Sequence, residues 1–285
     1  MQKDDTARGD ELPLRRKMLD AAQRLLDQAG GLSVTLEDLG LDKVIKEAGV
    51  SRTSVYREWE NKEEFYIDLL CDLAGPSWQG TAAFDEQTIL LARNVVTDDL
   101  SALASAEGRR QLLIKAVNVA AEQNYRAVIT SIQWRTYVTL TATVLSISTE
   151  SSGRARIEQA LRRSEAFFLG KMADFYSDMA IVLGLRLRSY VPSYELLAAA
   201  GAAVVEGLAL RQTLMPELVN QRIVIREGEL AGGWHLAALG FLGVFDGMVE
   251  SDPAYDLGEA LPRYMKQLAE REVSARPGRP ERLPV

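Results

Sequence analysis

The chain has 285 residues, 47% of them hydrophobic and 26% charged, with a formal net charge of −7. That length and balance suit a small domain beside a larger one, each with a buried core, and exclude a chain too polar to fold. Cys71 is the single cysteine and His235 the single histidine, so no intrachain disulfide is possible and neither a His-rich metal site nor a His-based catalytic relay is expected.

Residues 1–13 are polar, mixed in charge and without periodicity, and read as a disordered arm. The first residues lack the apolar run of a secretory segment. The longest uncharged stretch late in the chain, 230–245, has 16 residues, short of the roughly 20 needed to span a bilayer. A cytoplasmic protein without membrane contact is the expectation.

A first helix is predicted over 14–29, where Leu14, Met18, Ala22, Leu25 and Leu26 recur at three- and four-residue steps before Gly30-Gly31. Arg15, Arg16 and Lys17 at its start could meet a DNA backbone or remain solvated. A second helix over 41–48 follows a link at 32–40 and ends at Gly49, where a residue without Cβ accepts a left-handed conformation. Val50 is an apolar turn residue and Ser51 a good N-cap for a third helix over 51–59.

At roughly 100° per residue, Val55 and Trp59 share one side of that third helix, while Arg52, Thr53, Tyr56 and Arg57 crowd another arc. A helix of about three turns is thus held by two apolar anchors and offers two guanidiniums, a phenol and a hydroxyl outward. Forked donors with small polar and aromatic groups between them are what base edges and phosphates in a major groove require. The element reads as a helix-turn-helix. Asn61, with Glu64 three residues on, opens a fourth helix in a capping-box-like pattern, and Lys62 in its first turn is placed to meet a phosphate. Phe65, Leu69, Leu70 and Leu73 are expected inside with Cys71 as a buried apolar filler; Glu60, Glu63 and Asp68 dilute any broad positive surface.

These residues make the chain similar to the tetracycline-repressor (TetR) family of bacterial transcriptional regulators. The resemblance rests on the amphipathic stretch 15–27, on Ala48-Gly49-Val50-Ser51, on Ser54-Val55-Tyr56-Arg57, and on Asn61-Lys62-Glu63-Glu64-Phe65, in that order, and covers about 14–73. It implies an all-α protein: an N-terminal three-helix DNA-binding domain with a helix-turn-helix (14–74), and a larger all-helical ligand-binding and dimerisation domain (75–272). The tail at 273–285, proline-rich and charged, reads as disordered. The chain departs from the family pattern in its longer link 32–40, which puts Gly40 where a Thr or Ser cap often stands; Thr35, or the N–H groups of Leu41 and Asp42, are the groups that could take over the phosphate contact.

Charge placement gives only partial support. Residues 1–74 hold 11 Lys and Arg against 16 Asp and Glu, and 13–62 hold 9 against 8, so few phosphate contacts and a modest salt dependence are expected.

Gly75-Pro76 marks the expected domain boundary. Beyond it the apolar spacing predicts helices nearly throughout, over 85–105, 109–122, 125–148, 154–183, 193–214, 233–248 and 257–272, with a loop at 148–153 and no strand series. Small residues at helical steps, Ala198 and Ala202 in one stretch and Gly240, Gly243 and Gly247 in another, permit close helix approach; the resemblance makes these two stretches the dimer interface, the other reading being a tight core within one subunit.

The middle helices carry Trp134, Tyr137, Phe167, Phe168, Phe175 and Tyr176 among Thr136, Thr139, Thr141 and Glu165. The resemblance places a small-molecule effector there, with Trp134, Tyr137, Phe168 and Phe175 as lining candidates; plain core is the other reading. Glu206, on an otherwise apolar face, could bind ligand or pair with Arg211 at a dimer edge.

The function expected is a dimeric, sequence-specific regulator, in the family most often a repressor released from a palindromic operator by a small molecule. The alternative is an all-helical small-molecule binding protein without DNA function. No phosphate-binding loop or Gly-x-Ser-x-Gly elbow is present, so an enzyme is not expected, nor is any cofactor.

Overall fold

A computed structural model describes residues 12–31, 39–75, 85–146 and 152–274. The expectations for the N-terminal arm, for Thr35 and most of its link, for Pro76 and the residues after it, for much of the loop at 148–153, and for nearly all of the tail lie outside the described residues. The rest is almost wholly helical, as the spacing predicts. Two compact units are present, one drawn from Met1–Ala82 with Ser131–Phe167, the other from Ala83–Thr130 with Phe168–Val285.

The first unit contains α1 (Leu14–Gln28), α2 (Leu41–Ala48), α3 (Arg52–Glu58) and α4 (Lys62–Leu73). It also holds α7 (Ile132–Ser146) and the first half of α8 (Ser152–Leu183). Leu140, Val144, Ile157 and Ala160 enter the same core as Met18, Ala22, Val44, Val55, Phe65 and Leu69. The chain therefore leaves this unit and returns to it, which a single boundary near Gly75 does not describe. Helical periodicity tells that a face is buried; it does not say which core receives it.

The second unit is built on α6 (Ala106–Thr130), which packs against α5 (Glu86–Thr97), α9 (Tyr194–Gln212) and α11 (Leu236–Met248). The second half of α8, the short α10 (Pro216–Val219) and α12 (Leu257–Ser274) complete it, with a single 3-10 segment at Leu100–Ala104. Two short ladders interrupt the helices. Strand β1 (Leu185–Leu187) pairs antiparallel with β4 (Val249–Ser251), Arg186 opposite Glu250, and β2 (Ile223–Ile225) pairs with β3 (Gly232–Trp234). Three residues are too few to display a period-two pattern. The helix expected over 233–248 thus starts only at Leu236, where the His235 imidazole Nδ1 accepts from the Ala237 amide at 3.1 Å and caps it.

Close approach of α9 and α11 is tightest at Gly201, with Gly240 against Val204, where a Cβ would lie at 2.9 Å, beside it. A Cβ added at Gly201 of α9 would lie 2.5 Å from the Phe241 ring of α11, far inside van der Waals contact. Phe241 is itself fixed by Tyr176 and Phe245, with ring centroids 5.7 and 6.1 Å away, so it has little room to yield. Gly201→Ala is expected to lower stability by about 1–3 kcal/mol through overpacking, read by urea unfolding of the full chain. The control is Gly170→Ala in mid-α8, where a Cβ meets nothing within 4 Å; it should gain roughly 0.5–1 kcal/mol.

Candidate nucleic-acid interface

The turn between α2 and α3 follows from three residues. Gly49 sits at φ +65°, and behind it the Val50 amide reaches the Ile45 carbonyl at 3.3 Å, closing α2 with a left-handed stop. Ser51 is extended, and its hydroxyl accepts from the Ser54 amide at 3.1 Å to open α3. The helix that results has seven residues, two turns rather than the three expected, because Trp59 is already extended and serves as its C-cap. Val55 and Trp59 are buried, and Arg52, Thr53, Tyr56 and Arg57 are all exposed.

What holds α3 at its C-terminal end is an acid. The Trp59 indole N–H donates to Asp68 of α4 at 2.7 Å, and its ring meets Phe65 edge-on at 5.2 Å. Arg15 of α1 reaches the same carboxylate at 2.7 Å, and Arg156 of α8 binds its other oxygen. Asp68 is only 6% exposed. It is not a surface charge diluting a positive face, as the sequence suggests, but a buried acid shared by four helices or their caps. Burial without partners would be prohibitive, and three donors make it tolerable.

The basic start of α1 is accordingly committed inward. Arg16 donates to Asp20 at 2.6 Å and to Asp72 at 3.0 Å, and these bonds, the one to Asp20 foremost, push its pKa further up. Cys71 is partly rather than fully buried, and burial raises its thiol pKa.

At the outer face the charges are finely matched. Arg52 pairs with Asp42 of α2 at 2.9 Å, with both side chains more than 60% exposed, and its guanidinium lies 6.0 Å from the Tyr56 ring centroid. An exposed pair of this kind is worth about 0.2–1 kcal/mol, whereas a bidentate contact to a base is worth about 1–3 kcal/mol. The pair therefore leaves the guanidinium available to any stronger acceptor. Lys62 is the first residue of α4 and well exposed, with Glu63 3.8 Å away. Asn61 caps that helix, accepting from the Glu64 amide at 2.9 Å, while Glu64 reaches back to the Glu60 amide at 3.0 Å, one residue earlier than a capping box would have it. The start of α2 is held differently. Gly40 brings no side chain, and the Tyr66 hydroxyl instead donates to the Leu39 carbonyl at 2.8 Å.

The residues expected around an effector are divided. A cavity of about 70 Å3 in the second unit is lined by Phe168, Phe175 and Tyr176 of α8, with Ile89, Val205 and Phe241. Trp134 and Tyr137 lie in the first unit, where Tyr137 donates to Glu165 at 2.9 Å; the aromatic run on α7 and α8 is divided between the two units. Glu206 is half-buried on α9 outside the cavity lining, and Arg211 donates to the Gly207 carbonyl at 2.9 Å. Among the described residues no helix is long and apolar enough to cross a membrane, and no group of three or more His, Cys, Asp or Glu could hold a metal ion.

An anchored short helix presenting Arg, Thr, Tyr and Arg after a left-handed glycine turn defines a helix-turn-helix DNA-binding domain. Residues 18–69 match the family described as bacterial regulatory proteins, tetR family. The match covers the N-terminal part of the chain and supports a DNA-binding domain of the kind found in tetR-family transcriptional regulators. Comparison with curated proteins finds no match.

Asp68→Ala is expected to cost about 1–3 kcal/mol, since the buried indole N–H is left unsatisfied, and to weaken DNA binding with it. Asp68→Asn keeps an acceptor for the indole and gives up only the ion pairs to two half-exposed arginines, a loss under about 1 kcal/mol. Equal losses for both variants in chemical denaturation would show that charge, and not the indole bond, carries the anchor.

Proposed function

We propose that the protein is a homodimeric repressor that reads a palindromic operator with Arg52, Thr53, Tyr56 and Arg57 and is released from it by a small molecule. The observation that carries this reading is the solvent-facing set of those four side chains on a helix whose opposite face is locked by Val55 and Trp59. Arg57 takes a base edge or phosphate, and Arg52 is handed from Asp42 to DNA. Lys62 meets the backbone beside the N-terminus of α4.

Reading a palindrome requires two copies with their α3 helices about one turn of DNA apart. Support for pairing comes from α9, whose outer stripe holds Leu196, Ala203, Gly207 and Leu210, with Leu196 and Leu210 47% and 51% exposed. Gly243 and Gly247 of α11 are likewise exposed and have open space where a Cβ would be. An apolar stripe flanked by small residues is the kind of surface a second copy covers. In this reading α9 and α11 form the dimer face.

Release follows from α8 being one continuous helix of 32 residues. Its second half lines the cavity, and its first half carries Arg156 against Asp68. A ligand that favours one packing of α8 changes the hold on Trp59 and lowers DNA affinity by the coupling free energy, typically about 1–3 kcal/mol.

Arg57→Ala is expected to weaken operator binding by at least about tenfold with an unchanged melting curve. Asp42→Asn, which frees Arg52 and removes a nearby negative charge, should tighten binding and steepen its fall with salt. Fluorescence anisotropy at two salt concentrations measures both; unchanged binding in the pair contradicts the assignment of this face. Leu210→Glu should convert dimer to monomer in analytical ultracentrifugation, and a dimer that survives it places the pairing surface elsewhere.

A further inference from the structure

The apolar cavity of the second unit carries information about the kind of molecule it receives, an inference that rests on the ligand-released repressor proposed above. Among the described residues, polar side chains in its lining come from Asp85, Thr88, Asn124 and Tyr176. No arginine, lysine or histidine among the described residues lines it. An anionic ligand would find no cation there and one carboxylate in its way. A cationic ligand would have to compete for Asp85, which already caps α5. That carboxylate accepts from the Gln87 and Thr88 amides, the Thr88 hydroxyl and Gln123. Charge of either sign is therefore disfavoured.

Tyr176 supplies the specific group. It is 7% exposed, lines the cavity, and is held by the Phe175, Phe241 and Phe245 rings at centroid distances of 5.6, 5.7 and 6.5 Å. Its hydroxyl makes no hydrogen bond to the described residues. Burial pushes the phenol pKa well up, so the group stays protonated and is a fixed donor lacking an acceptor. An oxygen entering the cavity would give this donor an acceptor.

Size narrows the class further. A space of about 70 Å3 holds only a few water-sized bodies, so a ligand enters by moving side chains. Met172 and Met179 line the space and are the adaptable ones; both lie on α8, the helix that carries the release mechanism. We propose that the cavity binds an uncharged, slender apolar molecule bearing one oxygen acceptor, of the ketone or ester type, with the carbonyl received by the Tyr176 hydroxyl.

The test uses the full chain, calorimetric titration, and four probes of matched length: octan-2-one, oct-1-ene, octanoate and octylammonium. Operator affinity is followed in parallel on a duplex recovered by selection. Octan-2-one should bind at least about fivefold tighter than oct-1-ene, the worth of one hydrogen bond, and both charged probes at least about tenfold weaker than the ketone. Tyr176→Phe, with folding checked by circular dichroism, should erase the preference of ketone over alkene. Ala202→Leu, which adds bulk to the lining, should weaken both. Octanoate or octylammonium binding as tightly as the ketone overturns the inference, as does a ketone affinity untouched by Tyr176→Phe. Failure of every probe by a chain that still binds its operator overturns the ligand class and leaves the DNA reading standing. Ketone binding that leaves operator affinity unmoved supports the cavity chemistry and contradicts ligand release.

Discussion

One buried hydrogen bond sets the geometry on which the outward face of α3 depends. Helix α3 has two turns, too short to be stable alone, and the bond from the Trp59 indole to Asp68 ties its C-terminal end to α4. Val55 holds the middle and the Ser51 cap holds the start. With one face fixed at three points, the remaining side chains have only one direction left. The outward position of Arg52, Tyr56 and Arg57 is a consequence of what is pinned inward.

The same carboxylate gathers Arg15 and Arg156, so helices distant in sequence converge on the base of the reading helix. These ion pairs are partly solvated and individually weak. Their value is positional, because a buried acid accepts donors from few directions. This arrangement also explains how an acidic chain can read an acidic polymer. Much of the formal negative charge of α4 is turned inward or paired: Asp68 with Trp59 and the two arginines, Asp72 with Arg16 and Gln23. Net charge counts all residues alike, whereas DNA meets only those at the face.

Much of this was legible in the sequence where the signal is local. Gly49 and Ser51 mark the turn by conformation and capping chemistry, and the spacing of Val55 and Trp59 predicts which arc of α3 faces solvent. Non-local pairings left no such mark. Asp68 reads as a surface acid from its neighbours Glu60 and Glu63, and only the folded chain brings the indole, nine residues earlier, onto it. Arg15 and Arg16 look free for the same reason. The split of the aromatic run, Trp134 and Tyr137 in one unit and Phe168 and Phe175 in the other, could not be read from helical period, since both sets lie on amphipathic helices. The three-residue ladders fell below the length at which alternation shows.

The central claim is that α3 reads duplex sequence through its outward side chains in a paired molecule. Selection from a pool of random duplexes with the purified full chain tests it most directly. The account predicts enrichment of an inverted repeat whose half-sites lie about one helical turn, roughly 10–10.5 base pairs, apart or a multiple of it. A pool that remains random after repeated selection, with binding that is sequence-blind and vanishes with salt, would contradict it.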